Sequence, residues 1–261
     1  MSVFGGQYAA NYDLFYAHKD YPAEAAFVRD VLHRHNPCAN SMLEFGCGSA
    51  RHAVEFVRAG FYVTGIDRSA EMIALGQERR KSLPPQLREK LNLMQGDAVK
   101  FRSSVNTDIV VSLFHVVSYQ TTNEGLLGIF GSARKTLIPG GLFVFDFWHG
   151  PAVLTERPQV RVKRLTTSSH NLTRIAEPEH QVNRNVVDVR YTLISVDRET
   201  GLAEQHVETH SVRYLFLPEI ELFAADSGFE IVEAGEWLTG KSLNERCWSG
   251  YVAARLSAKS E

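Results

Sequence analysis

The chain has 261 residues, 44% of them hydrophobic and 22% charged, proportions that exclude a disordered chain. Its 28 basic and 30 acidic residues leave a net charge of −2, so no global field recruits polyanions and nucleic acid is not an expected partner. Three cysteines, Cys38, Cys47 and Cys247, form no CxxC pair, which argues against a disulfide framework or a cysteine-rich zinc site and for a reducing compartment.

In chain order, Ser41–Phe45 is a short apolar run ending in a glycine turn. Arg51–Ala59 reads as a helix, with Ala53, Phe56 and Val57 on one side and Gly60 as its stop. Tyr62–Ile66 is a second strand ending at Asp67. Ser69 then stands at the N-cap of a helix over Ala70–Lys81, closed by Pro84-Pro85. A third strand, Leu91–Gln95, runs into Gly96-Asp97. The continuous apolar run Thr107–Leu113 fits a strand covered on both faces. A helix over Asn123–Leu137 leads through Pro139-Gly140-Gly141 to a fifth strand, Leu142–Phe147. Five strands in regular alternation with helices predict an α/β fold with a doubly wound, Rossmann-like parallel sheet.

The rhythm changes after Trp148. Val160–Tyr214 lacks a helical period, and Val186–Val196, a turn over Asp197–Gly201 and Leu202–Tyr214 predict a long hairpin. Helix returns over Pro218–Ser227, and Phe229–Trp237 and Trp248–Leu256 read as two strands rejoining the sheet. The expected organisation is an N-terminal helical lid segment over residues 1–40, an α/β domain from 41–149 and 215–261, and an antiparallel β insertion after the fifth strand, residues 150–214. No apolar run reaches 18 residues, and residues 1–10 carry neither a basic n-region nor a long apolar core. A soluble, cytoplasmic protein without a membrane span is therefore expected.

Glu44-Phe-Gly46-Cys-Gly48-Ser-Ala50 sits where the first strand meets the first helix. Glycines there let the backbone turn sharply and approach a ligand at the carboxyl edge of the sheet. A dinucleotide fingerprint needs glycine where this chain has Arg51, which disfavours a nicotinamide oxidoreductase. Asp67 follows Gly48 by 19 residues and ends the second strand, where an acid meets ribose hydroxyls. Asp97 ends the third. Each acid alone reads as a cap or loop residue; three signals at three successive strand ends read as a binding site.

Glu44-Phe-Gly-Cys-Gly-Ser-Ala50, Gly65-Ile-Asp67, Gln95-Gly-Asp97-Ala98 and Leu137-Ile-Pro-Gly-Gly-Leu142 together resemble the ordered motifs of class I S-adenosylmethionine-dependent methyltransferases. The resemblance implies S-adenosylmethionine as cofactor and S-adenosylhomocysteine as product. It places Gly46 and Gly48 against the methionine portion, Asp67 on the ribose and Asp97 on the adenine. Glu44, Cys47, Arg51, Arg68, Ala98 and Leu113 complete the implied cofactor contacts, and Ala50 departs from the third glycine often found in the motif. A narrower resemblance covers most of the chain. Tyr12-Asp-Leu-Phe-Tyr16 and Lys19-Asp-Tyr21-Pro-Ala-Glu-Ala25, with Ser112–Tyr119 and Phe145–Trp148, are similar to corresponding segments of deoxysugar N,N-dimethyltransferases. That group implies a small-molecule acceptor, an amino sugar or nucleotide-linked sugar, and an insertion that contacts it and is a candidate homodimer surface.

Tyr8, Tyr12 and Tyr16 recur every four residues, a packing stripe on a helix; the resemblance alternatively makes Tyr12 or Tyr21 a lid over the cofactor. His115 follows the fourth strand and His149 the fifth, where an acceptor approaches, and either imidazole can take its proton. His115 is the preferred base, with Tyr119 on the same loop; the competing reading is a loop histidine bonded to backbone. Among the 10 histidines no HxH or HxxxH pair comes with a nearby third ligand, so no metal site is expected. N- versus O-methylation stays open, as do a non-catalytic S-adenosylmethionine-binding module and, less favoured, an NAD-dependent oxidoreductase.

Overall fold

A computed structural model describes residues 13–103 and 105–258. It opens with helix α1 (Tyr21–His35), started by Asp20, whose side chain accepts the Ala23 amide at 2.9 Å, and by Pro22 in the first turn. Then follow β1 (Ser41–Phe45), α2 (Arg51–Arg58), β2 (Tyr62–Asp67), α3 (Ala70–Lys81), a short α4 (Pro85–Arg88), β3 (Leu91–Gln95), β4 (Thr107–Ser112), α5 (Asn123–Thr136) and β5 (Leu137–His149). Ser69 caps α3 through the Met72 amide and Thr122 caps α5 through Gly125.

Strands β1 to β5 are parallel in the order β3-β2-β1-β4-β5. The edge beyond β5 is completed by β11 (Ser249–Leu256), antiparallel to β5, and by β10 (Phe229–Glu236), antiparallel to β11. The period of two sorts the side chains into two cores. Ile109, Val111, Leu142 and Val144 pack under α1 and α2, whereas Val110, Phe143, Phe145 and Phe147 pack under α5 and α7 (Leu217–Asp226). The sheet is thus wound on both faces, which is why β4 and β5 are apolar almost throughout.

Between β5 and α7 lies the antiparallel addition: a short α6 (Gly150–Thr155), β6 (Arg161–Thr166), β7 (His170–Gln181), β8 (Val186–Asp197) and β9 (Ala203–Leu215). These strands form a meander that joins the main sheet where Trp148 and His149 of β5 pair in parallel with Tyr214 and Leu215 of β9. The turn between β8 and β9 is held by Asp197, which accepts the Thr200 amide at 2.7 Å, and by Gly201 at φ +70°. Strand β5 begins five residues earlier than the apolar run suggests, and α6 was not anticipated. Gly150-Pro151 opens that single turn, a signal that also reads as loop entry.

Candidate active site

The carboxyl ends of the parallel strands β1 to β5 lie along one edge of the sheet. After β1 the backbone takes positive φ at Gly46 (+67°), Gly48 (+52°) and Ala50 (+63°). Ala50 adopts the conformation that a third glycine takes readily, at a cost of about 1–2 kcal/mol. A Cβ at Gly46 would lie 2.5 Å from a Val116 methyl, so the turn is pressed against the loop after β4. The Cys47 amide donates to the Ile66 carbonyl at 2.9 Å, and the Gly48 amide donates to Asp67 Oδ2 at 2.9 Å. Asp67 Oδ1 accepts the Ser69 amide, also at 2.9 Å. Burial pushes the Asp67 carboxyl up, against the pull of those amides.

Glu44 lies beneath the turn at 1% exposure, and its Oε2 has no hydrogen-bond partner among the described residues. Burial, with Asp67 nearby, pushes its carboxyl up to about 8. His52 Nδ1 faces its Oε1 at 3.8 Å, beyond hydrogen-bond reach, while His52 Nε2 lies 2.7 Å from Glu24 Oε2. Burial pushes His52 down, which keeps it neutral and makes Nε2–H the donor to Glu24. Burial pushes the Glu24 carboxyl up, but hydrogen bonds from His52 and Lys19 outweigh it and hold the group ionised.

The N-terminal strap crosses this edge. Asp13 accepts from Ser49 Oγ at 2.9 Å and from Arg79 Nη2 at 2.6 Å, with Arg51 Nη1 at 3.9 Å. Phe15, 1% exposed, packs on Leu172 and Leu193 of the meander, and Tyr16 meets Phe114 edge-on at 5.0 Å. Tyr21 is buried against His52 and carries the Arg51 guanidinium 4.3 Å above its ring. Burial drives its phenol well up, so it stays protonated. Tyr21, Gly46, Cys47, Gly48, Ser49, Arg51, His52, Leu113 and Phe114 therefore line one cleft. Cys47 is buried with its thiol pushed up, which leaves it packing rather than reactive.

Asp97, Ala98 and Arg68 do not line that cleft. Asp97 caps its own turn by accepting the Val99 amide at 3.0 Å, and Ala98 packs with Ile66 and Phe130. Arg68 is exposed, its carbonyl held by Gln95 Nε2 at 3.0 Å. Tyr12, and Tyr8 of the same stripe, lie outside the described residues.

Two features of the loop after β4 stand out. Phe114 and His115 both sit at φ +64°, a conformation that costs a non-glycine residue about 1–3 kcal/mol and marks constrained, functional backbone. Asp146 of β5 holds it there: Oδ1 accepts the His115 amide at 2.9 Å, and Oδ2 lies 2.9 Å from His115 Nδ1, an ion-pair distance off the line of a well-formed hydrogen bond. Asp146 is 1% exposed; burial pushes its carboxyl up, but His115 pulls it below the ordinary range. By contrast the His149 ring is 3.0 Å from the Cys247 carbonyl through Nδ1, its amide donates to Trp248, and burial pushes it down. That is the backbone-bonded role held open for it. Tyr119, in the single 3₁₀ turn Val117–Tyr119, meets His210 Nδ1 of β9 at 2.9 Å.

Sequence reasoning missed the partners. The signal for Asp146 was available: a lone acid in Phe143–Phe147 of a strand buried on both faces needs a counter-charge. Nothing local marked Asp13, Glu24, His52, Glu208 or His210, which meet their partners only in three dimensions.

Asp67 and Asp97 at successive strand ends, beside a glycine turn with the orphaned Glu44 Oε2 beneath it, offer acceptors to a ligand that carries a diol and an exocyclic amine. Residues 42–141 match the family model described as a methyltransferase domain. The chain is 28% identical over 232 residues to dTDP-3-amino-3,4,6-trideoxy-alpha-D-glucopyranose N,N-dimethyltransferase of Streptomyces venezuelae, covering 88% of this chain and 91% of that one. The chain is an S-adenosylmethionine-dependent methyltransferase. Its fold is that of the sugar N-methyltransferase KedS8 from Streptoalloteichus sp ATCC 53650, with TM-score 0.79, 21% identity and coverage of 98% of this chain and 97% of that one. It is likewise that of SAM-bound CalS10, an amino pentose methyltransferase from Micromonospora echinaspora, with TM-score 0.73, 24% identity and 98% and 99% coverage. The methyltransferase places its meander directly against the strap and the loop after β4. Among its described residues no helix is long and apolar enough to cross a membrane.

Proposed function

We propose that the methyltransferase acts on the amino group of a nucleotide-linked amino sugar, with His115 as the proton acceptor. The observation that carries this reading is the His115–Asp146 pair, set at the ends of β4 and β5 beside the glycine turn. Bound S-adenosylmethionine supplies a methyl group on a sulfonium, open to in-line displacement by the acceptor nitrogen. Asp146 favours the Nδ1–H tautomer of His115 and leaves Nε2 basic, and it stabilises the imidazolium once the proton arrives. Phe114, Tyr16 and Tyr21 exclude water, and the strap fixes the two reactants relative to each other. An amine is the better match because one imidazole suffices to remove its proton, whereas a sugar hydroxyl demands a stronger base.

Within this reading Gly46 and Gly48 face the methionine portion, with Glu44, Cys47, Arg51 and Leu113 around them. Asp67 with Arg68 holds the ribose, Asp97 with Ala98 reads the adenine, and Tyr12 and Tyr21 form the lid. The insertion, residues 150–214, contacts the acceptor. Its outer strand β6, with Val162 47% exposed, is the homodimer surface, which sedimentation velocity at rising concentration tests. A cytoplasmic site of action fits three unpaired cysteines.

The decisive experiment supplies dTDP-linked amino sugars and methyl-labelled cofactor and reads the products by mass spectrometry. Expected are mono- and dimethylated amines. Cofactor binding with no label on any such sugar overturns the acceptor class. His115→Ala should lower turnover by about 10²-fold and leave cofactor affinity intact; full turnover at every pH would make His115 a bystander.

A further inference from the structure

A second line of titratable groups runs from the same loop into the insertion. Tyr119 Oη lies 2.9 Å from His210 Nδ1, His210 Nε2 lies 3.0 Å from Glu208 Oε2, and Glu208 Oε1 lies 3.0 Å from His206 Nε2. The three residues of β9 alternate along the strand, so all project from one face. Exposure rises in one direction, from 2% for the His210 side chain through 9% for Glu208 to 35% for His206. A carboxylate at Nε2 fixes the proton there, which leaves Nδ1 to accept from the phenol. The connectivity is hydroxyl, imidazole, carboxylate, the order in which a hydroxyl can give up its proton while its imidazolium is neutralised. A buried histidine–glutamate pair carries a desolvation cost of several kcal/mol, and packing of the meander alone does not require one.

We infer that Tyr119, His210 and Glu208 form a second proton-accepting chain in the acceptor crevice, with His206 as its contact with water. The inference rests on the reading of that crevice as the acceptor site. In the step, an N–H bond of the methylated acceptor breaks and an O–H bond to Tyr119 forms, while the Tyr119 phenol proton moves to His210 Nδ1. The acceptor loses one proton, Tyr119 is unchanged, and His210 becomes an imidazolium paired with the Glu208 carboxylate. Tyr119 is the group that meets the acceptor; His210 and Glu208 act through it. Burial drives the Tyr119 phenol well above its ordinary range, so it hands on a proton rather than resting as a phenolate. An acceptor amine fixed with its lone pair toward the sulfonium directs its two N–H bonds elsewhere, and one loop offers His115 and Tyr119 to receive them.

Groups facing His210 are Tyr119 from the loop, Tyr191 of β8 with ring centroids 4.9 Å apart, and Glu208 on its own strand, with Arg174 of β7 stacked on Tyr191 at 5.3 Å. Val189 pairs across from it and carries no charge. Glu208→Gln removes the carboxylate that fixes the proton on His210 Nε2, so it should reduce the plateau of kcat and loosen the His210 tautomer read by ¹⁵N NMR. Tyr119→Phe and His210→Asn should each lower kcat by about 10-fold or more. The double variant should be no worse than either, whereas combination with His115→Ala should multiply the losses. An independent arm is ¹⁵N NMR of the protein without acceptor, which should find His210 as the Nε2–H tautomer. An Nδ1–H tautomer, or His210→Asn with wild-type kcat and an unmoved pH profile, overturns the relay. Failure of the wild type to methylate any amino sugar overturns the acceptor reading, and the tautomer then still decides the chain.

Discussion

Glu44 is a carboxyl kept in its neutral form by the fold. Its ordinary value of 4.5 rises to about 8 on burial, so between those pH values the unfolded chain releases a proton that the folded chain retains. Stability contributed at this site is therefore greatest below pH 4.5 and falls as pH rises toward 8, by up to about 1.4 kcal/mol per pH unit. Glu44→Gln removes that slope: thermal melts at pH 5 and pH 8 should show the variant gaining on the wild type at the higher pH. A constant difference across the range would place the titration elsewhere. Burial pushes the Asp67 carboxyl up as well, against the pull of the Gly48 and Ser69 amides that it accepts at 2.9 Å. Asp67→Ala should weaken cofactor binding by about 1.5–3 kcal/mol, read by calorimetry. Asp67→Asn, which retains an acceptor for one amide, should lose less.

At the scale of elements, the strap is held at both ends by chemistry of different kinds. Asp13 binds the glycine turn and α3 through Ser49 and Arg79, while Phe15 is buried among Leu165, Leu172 and Leu193 of the meander. Lys163 of β6 also donates to the Phe15 carbonyl at 2.5 Å. The strap thereby couples the cofactor side of the crevice to the insertion. Phe15→Ala removes a buried aromatic whose truncation in a core costs about 3–5 kcal/mol. The expected outcome is selective: faster proteolysis within residues 13–20 and a higher cofactor Kd, with little change in the melt of the main sheet. A global loss of Tm of the same size would show that the strap belongs to the main core.

Across the whole molecule, stability is graded. Strands β4 and β5 are paired on both sides and covered on both faces, whereas among the described residues β6 pairs only with β7 and presents alternate residues to water. The meander meets the sheet through two residue pairs, Trp148 with Tyr214 and His149 with Leu215. Native-state hydrogen exchange should therefore be slowest at Ile109–Ser112 and Leu142–Phe147 and fastest along Arg161–Thr166. Equal protection of β6 and β5 would contradict this grading and imply that another surface covers the edge.

The sequence by itself determined the parallel sheet, the glycine turn and the two strand-end acids Asp67 and Asp97. These depend on spacing along the chain: apolar runs of period two or none, glycines in a turn after a strand, and acids at or just past a strand end. It determined the hairpin of β8 and β9 as well, because Asp197 and Gly201 act locally on their own turn. Only the tertiary structure separates His115 from His149 by their partners. Each follows its sequence-predicted strand by two residues, yet one meets a buried carboxylate on a neighbouring strand and the other a backbone carbonyl 98 residues away. The same holds for Tyr119 with His210, 91 residues apart, and for His52 with Glu24, 28 apart. A side chain's partner fixes its protonation and tautomer, and partners brought together by sheet order leave no period in the sequence.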